Sequence, residues 1–528
     1  MKMRTKIKEL WEKLDKAILL IPITIVILLT IVFSVFPSGS SNVIDAVYGF
    51  LTQKLDWWYL IFGVAILILL IYMAASKKIG TTKLGKPEDK PMKRFTYGAL
   101  VFTSTMAADI MFYAFHEWTY YWDYNVSDLA DTSTTSAKVL WSSTFSYVNW
   151  GFIPWAIYIV LAVIYGYMFY KSGRRDKQRI SEACRSLIGR HADGPLGKSL
   201  DIVAITCLFF GTSTTFSIAT PFMTAIICKL FNVAMTPVIT IVTLLVIAAI
   251  YTAAVLIGNK GISVVAKIAT ILVSIVLALF FVLGGPQFIL ETGFQGIGNM
   301  FAHYAQIVTW TDPVRASSFP QAWSLYFICY WCAWAVGTPF FIAKISKGRT
   351  IRQTIIESMT YGLLGTFMSF MVLGGFGMNI QASGALDVVG MINNGITPAQ
   401  AVVEMITTIQ IWPVLVVLIF IAMAGLYAST FDALTSVVAS MSYKSLDIDE
   451  EPHKAIKIFY AFIFIALPIA LTFMESTTNM IMCMSIIAAL PYSLIIVLAI
   501  ISFFKDIKSY TSSINISHND SDELESTN

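Results

Sequence analysis

The sequence predicts an all-α integral membrane protein of twelve transmembrane helices. Three observations predict it: the composition, the recurrence of long apolar runs, and the placement of positive charge. Of 528 residues, 57% are hydrophobic and only 13% charged, where a soluble chain carries roughly a quarter charged residues. Apolar runs of about 20 residues, the length that crosses a bilayer as a helix, recur along the chain. Lys and Arg collect at alternate ends of these runs, the asymmetry expected of a polytopic protein. The net charge is only +4, and the sequence carries neither a nucleotide-binding motif nor an appended soluble domain. No nucleic-acid partner and no ATP-driven pumping are therefore expected.

Taken in order, Lys2, Arg4, Lys6, Lys8, Lys13 and Lys16 precede span 1, 17–36. That run is long enough to span and lacks a small-residue cleavage site, so no signal peptide is expected. Span 2, 57–75, is followed by Lys77, Lys78, Lys83, Lys86, Lys90, Lys93 and Arg94. Span 3 is 96–115, and the connection 118–149 holds Asp123, Asp128 and Asp131 with Lys138 as its only basic residue. Span 4, 150–170, leads into Lys171, Arg174, Arg175, Lys177, Arg179, Arg185 and Arg190. Spans 5, 6 and 7 are 200–229, 236–257 and 262–284; Phe288 to Trp310 then reads as an amphipathic helix along the outer interface. Span 8, 322–343, ends on Lys344, Lys347, Arg349 and Arg352, and spans 9 to 12 are 355–378, 411–442, 455–474 and 479–503. Both termini are thereby placed in the cytoplasm of a plasma-membrane protein, and the polar tail after Lys508 is expected to be disordered.

Spans 3 and 8 are both interrupted, span 3 by small residues and span 8 by Gly337 and Pro339. Each opens a set of five spans, 3–7 and 8–12. Broken helices at corresponding places in two odd-numbered sets imply inverted repeats with a site near the bilayer middle. The expected organisation is 1–94 for the N-terminus and two leading spans, 95–286 for the first repeat, 287–320 for the interfacial helix, 321–504 for the second repeat and 505–528 for the tail.

The ring-rich stretches are the candidate binding elements. Span 4 begins NWGFIPWAIY, with Trp155 and Tyr158 on one face and Trp150 displaced about a turn and a half before them. Span 8 carries Trp323, Tyr326, Phe327, Tyr330, Trp331 and Trp334 before its break. Such rings either form an interfacial belt or a cage for a cation without conventional donors, each contact being worth roughly 0.5 to 2 kcal/mol. Span 3 reads TSTMAADIMFYAFHEW and places Asp109 well inside an apolar segment. A carboxylate there needs a partner: a cationic substrate, a coupling ion, a proton, or the backbone of a neighbouring span. His116 and Glu117 lie further along and are expected to be solvated near the outer mouth. Ser429 and Thr430 in span 10 offer uncharged oxygens of the kind Na⁺ accepts, although such pairs also pack membrane helices.

The runs FIAKISKGRTIR after span 8 and WGFIPWAIY in span 4 resemble the signatures of the betaine/choline/carnitine transporter family, secondary transporters of quaternary ammonium compounds. The likeness covers roughly 20 to 505. It implies that Trp150, Trp155, Tyr158 and Trp331 line a substrate box, with Tyr330 and Trp334 beside it; Tyr330 stands where many members have Trp. Many members have a Gly-rich MGxG run where this chain has Met106, Ala107, Ala108 and Asp109, and an acid at the last position is associated in the family with choline-type cations. The resemblance also implies a sodium site from the hydroxyls of Ser429 and Thr430 with carbonyls around Thr103 and Met106, Met106 serving the substrate set as well. Thr212 and Thr215, within FGTSTTFS, match a second proposed ion motif. Asp432 is expected to find a structural partner near the inner gate, and a homotrimer is implied by the family alone.

The expected function is import of a choline- or glycine betaine-type compound by alternating access, coupled to Na⁺ and needing no cofactor. The alternative is a proton-coupled or ion-independent exchanger of carnitine-like substrates. A membrane enzyme would need His, Cys or paired acids converging at depth. The histidines at 116, 191, 303, 453 and 518 fall in loops or near span ends, and Cys329 and Cys332 read as buried small hydrophobes.

Overall fold

The computed structural model describes residues 2–105, 108–124, 126, 129–257, 259–473 and 478–525, with side chains except those of 2–7, 103–105, 255–257, 259–264, 266, 473, 478–480 and 509–525. The architecture is all-helical. Among the described residues, nine helices are long and apolar enough to cross a membrane, or eleven when each of two sharply bent pairs is taken as one span. These coincide with the expected spans other than span 3, whose helical pieces Arg94–Thr105 and Asp109–His116 are too short to qualify alone.

Burial sorts the spans into centre and rim. The continuous stretch Thr135–Tyr170 is 94% buried over its most apolar part, whereas Lys16–Val35 is 33% buried. The rim helices turn Leu28, Ile31, Ile68 and Ile71 outward, as hydrocarbon-facing helices must where no water can solvate a polar side chain.

The breaks follow local chemistry. Span 8 stops at Trp334 and resumes as Thr338–Ile345 at 59° to its first half, with Pro339 in the first turn of the new helix, where its missing N–H is harmless. The chain also turns through 107° between Lys267–Leu283 and Pro286–Thr309 at Gly285, whose φ of +92° suits glycine. The second of these is the amphipathic helix expected over 288–310.

Four connections are more ordered than their composition implies. Segment 118–149, read above as a loop, forms helices Trp118–Trp122 and Thr135–Asn149. Its Ser and Thr side chains turn back onto their own helix, as when Thr144 donates to the Leu140 carbonyl at 2.7 Å, so a polar sequence can be buried. Pro37–Lys54 is a helix between spans 1 and 2, begun by a proline in its first turn. Pro398–Thr407 is closed by a Thr397/Gln400 capping box. The tail, expected to be disordered, continues the last span as one helix, Thr478–Glu525, because no Gly or Pro follows Pro491 to stop it.

The basic connections gather at one end of the bundle. Lys83 pairs with Thr350 and Leu14 with Tyr443 as isolated bridges, and the Leu446 N–H donates to the Asp176 carbonyl at 2.7 Å. Arg179 donates to the carbonyls of Met441, at 2.8 Å, and Tyr443. Arg175 pairs with Asp447 and Asp449, and Arg174 with Asp506. Arg349 is buried over the Tyr97 ring, 3.7 Å from its centroid, and bonds Glu357 at 2.9 Å. Hydrogen bonds from Arg175 hold the Asp447 carboxyl below the usual carboxylate range, and those from Arg185 and Lys177 do the same to Asp193.

Candidate functional site

A glycine and a proline follow the first ring of the site. Helix Thr135–Asn149 ends at Trp150, and Phe152–Tyr170 begins after Gly151, so Trp150 sits at a short interruption in an otherwise continuous stretch rather than on the span-4 helix itself. Pro154 has no N–H to give the Trp150 carbonyl. Thr366 of span 9 supplies it instead, its hydroxyl donating to that oxygen at 3.1 Å. The Trp150 ring faces span 8, where its centroid lies 5.5 Å from that of Trp331. Trp155 and Tyr158, one turn apart, face the same ring at 5.5 Å and 4.7 Å. Three rings thus converge on Trp331, and all four side chains are buried.

Other spans brace this cluster. Phe370, in a π-helical turn of span 9 at Phe370–Gly374, lies 5.1 Å from Trp150, and Tyr113 of span 3 lies 5.4 Å from it. Trp155 lies against Gly362 of span 9: a Cβ at that glycine would stand 2.6 Å from the indole. A helical glycine sacrifices about 1 kcal/mol of propensity, and here the close approach of an indole to backbone is what requires it. The rings are in mutual contact, with 4.7 to 5.5 Å between the centroids.

Trp150 is also held from behind. Its indole N–H donates to Glu117 Oε2, Tyr121 donates its hydroxyl to Glu117 Oε1 at 2.6 Å, and Asn149 donates to the Tyr121 oxygen at 2.7 Å. Glu117 is 0% exposed and His116 1%. The expectation that both are solvated is therefore corrected: helices Trp118–Trp122 and Thr135–Asn149, which the sequence disguises with Ser, Thr and Asn, roof this part of the chain.

The remaining candidates form a second cluster. Asp109 begins helix Asp109–His116 of span 3 and accepts hydrogen bonds from Tyr330 and, at 3.2 Å, from Thr215. Thr215 and Tyr330 hydroxyls are 2.6 Å apart. The Tyr330 ring contacts Tyr113 at 6.0 Å and Tyr326 at 5.7 Å. One residue expected in the substrate set and one expected in the ion set thereby share a carboxylate. Trp334 turns away toward Phe431 of span 10, 6.2 Å distant.

Among the expected sodium ligands, Ser429 donates to the Leu426 carbonyl at 3.1 Å, leaving its oxygen lone pairs available, and Thr430 is buried beside it. Thr212 donates to its own helix at Leu208, 2.8 Å. Met106 and the Thr103 side chain lie outside the described residues. The oxygen-only donor chemistry at Ser429 and Thr430 fits a hard monovalent cation. Asp432 pairs with Lys457 of span 11 at 2.7 Å. All six cysteines are buried and unpaired with one another.

Tyr113, Gly362 and Phe370 escaped the sequence reading, which places Glu117 in solvent. Glu117 carried the one available signal, an acid directly before a ring-dense stretch, Trp118 to Trp122. Gly362 and Phe370 carry none in a single sequence, because their partner rings lie some 200 positions away.

Comparison with known proteins places the chain in a family. Residues 17–512 match the profile of the betaine/carnitine/choline family transporter. A protein named probable glycine betaine transporter, from Desulfitobacterium hafniense, is 26% identical over 490 residues, 91% of this chain and 95% of the relative. The glycine betaine transporter OpuD of Bacillus subtilis is 24% identical over 480 residues, 89% of this chain and 90% of the relative. A solved structure of a Na⁺-coupled sialic acid symporter, in a substrate-bound outward-open state, aligns over 88% of this chain and 83% of its own at 15% identity and a TM-score of 0.39. By the match along nearly its whole length, the chain belongs to the betaine/carnitine/choline transporter family.

Proposed function

We propose that this membrane transporter imports a quaternary ammonium compound of the choline or glycine betaine type by alternating access, coupled to Na⁺. One observation carries the substrate class: the rings of Trp150, Trp155 and Tyr158 converge on Trp331 at 4.7 to 5.5 Å. A trimethylammonium group offers no N–H donor, so ring faces are the chemistry that recognises it. The family match and the glycine betaine relatives support the same class. Twelve spans, two inverted five-span repeats and cytoplasmic termini complete the reading, supported by the broken halves of span 8 and by the basic connections gathered at one end.

Asp109 sets charge preference in this reading. It attracts the ammonium of either substrate but repels the carboxylate that betaine also carries, so it favours choline. Ser429 and Thr430, with backbone around Thr103 and Met106, take the sodium ion. A proton-coupled or ion-independent exchanger is the second reading, favoured by the bond between Asp109 and Thr215, which joins a titratable group to the ion-binding set.

The test is uptake of labelled choline and glycine betaine into proteoliposomes, for wild type and Asp109→Gly, with an inward Na⁺ gradient or K⁺ in its place. Sodium-dependent choline uptake that shifts toward betaine in the variant is expected. Uptake indifferent to Na⁺, with no change of preference, would move the exchanger reading to first place.

A further inference from the structure

Glu117 is a buried acid that the transport cycle described above does not use. Both its oxygens are engaged, one by the Trp150 indole N–H and one by the Tyr121 hydroxyl, and among the described residues no Lys or Arg pairs with it. Of the indoles at 150, 155, 331 and 334, only that of Trp150 has its N–H satisfied; those of Trp155, Trp331 and Trp334 are buried without a partner. A carboxylate at this depth costs several kcal/mol without an opposite charge. The groups that screen it are the hydroxyl of Tyr121, itself braced by Asn149, and the ring of Trp150.

We infer that Glu117 is a positioning residue for cation recognition: it fixes the Trp150 indole just before the span-4 helix and, through the N–H bond, makes that ring a stronger cation binder. The physical argument has two parts. An indole donating its N–H to a carboxylate gains electron density on its faces, which deepens the negative potential that attracts a cation. The acid lies behind the same ring, where burial without an opposite charge disfavours its ionised form in the empty carrier, so a bound ammonium becomes the counter-charge that the protein does not itself supply. Both effects act on a charged ligand and leave an uncharged ligand of the same shape unaffected. This inference rests on the quaternary-ammonium reading given above.

The experiment compares equilibrium binding of choline with that of 3,3-dimethylbutan-1-ol, its uncharged carbon isostere, measured by displacement of labelled choline from purified carrier in nanodiscs. Glu117→Gln keeps the side-chain shape and an acceptor for the indole but removes the charge. The expected result is about tenfold weaker choline binding, equivalent to 1.4 kcal/mol, with the isostere within twofold of wild type. In a Trp150→Phe background, which lacks the N–H, the same substitution is expected to lose most of its effect on the ratio of the two ligands. Equal weakening of both ligands by Glu117→Gln, or no change in either, overturns the inference. Should that variant not yield folded carrier, Glu117→Met removes charge and acceptor together, and the ratio of the two ligands is read: choline is expected to weaken more than the isostere, and an unchanged ratio overturns the inference. A wild type that binds neither choline nor betaine overturns the quaternary-ammonium reading itself, and this inference with it.

Discussion

Replacing Tyr330 with Phe removes one oxygen from the second cluster and keeps the ring contacts to Tyr113 and Tyr326. Asp109 then retains the Thr215 hydroxyl at 3.2 Å as its remaining side-chain donor. A hydrogen bond to a charged group is worth about 1.5 to 3 kcal/mol, so the unliganded state loses roughly that much. A bound cation restores part of it. Asp109 is separated from the ring cluster by the Tyr113 ring, 5.4 Å from Trp150 and 6.0 Å from Tyr330. Two charges about 8 Å apart at an effective dielectric near 20 attract by about 2 kcal/mol. Tyr330→Phe is therefore expected to tighten choline relative to betaine by about tenfold while lowering the thermal stability of the free carrier. Isothermal titration with each ligand, together with melting with and without choline, reads both effects. An unchanged choline-to-betaine ratio with the free carrier equally stable would show that the hydroxyl does not restrain Asp109.

Two further substitutions probe separate parts of the structure. Gly362→Ala drives a methyl group into the Trp155 indole, where 2.6 Å is available; overpacking of this kind costs about 1 to 3 kcal/mol, and binding of either substrate should weaken about tenfold by titration. At the end of the bundle that carries the basic connections, Asp193 and Asp447 have depressed carboxyl pKa values, caused chiefly by hydrogen bonds from Arg185 and Arg175. Their stabilisation is present above the ordinary aspartate value of about 3.9 and is lost as pH falls below it toward the folded values. The melting temperature should drop between about pH 4 and 3, and Asp193→Asn should make that drop shallower. Because these pairs are partly exposed, the change should stay within about 1 kcal/mol.

Much of the fold was legible because hydrocarbon imposes length and apolarity on whatever crosses it. The apolar runs and the alternation of charge located most spans, and Gly337 and Pro339 located the break in span 8. What the sequence concealed was helix made of polar residues: Ser142, Ser143, Thr144 and Ser146 read as loop, yet three of them bond back to their own helix at 2.7 to 3.1 Å. Within the site, periodicity placed Trp155 and Tyr158 together, and their meeting with Trp331 rested on the family resemblance. Tyr330 illustrates the limit. Sequence adjacency to Trp331 put it in the ring set, whereas successive residues of a helix point about 100° apart, which sends its hydroxyl to Asp109 and Thr215 instead.

The ring cluster is the central claim, and Trp331 is where its contacts meet. The most direct measurement is equilibrium binding of choline and glycine betaine to wild type, Trp331→Ala and Trp331→Leu, each shown by size-exclusion chromatography to be folded. Leu keeps apolar bulk and has no ring face. Removal of one desolvated cation–ring contact, worth about 2 kcal/mol, predicts at least tenfold weaker binding of both ligands in both variants. Wild-type affinity in a folded Trp331→Leu or Trp331→Ala carrier would contradict the cage.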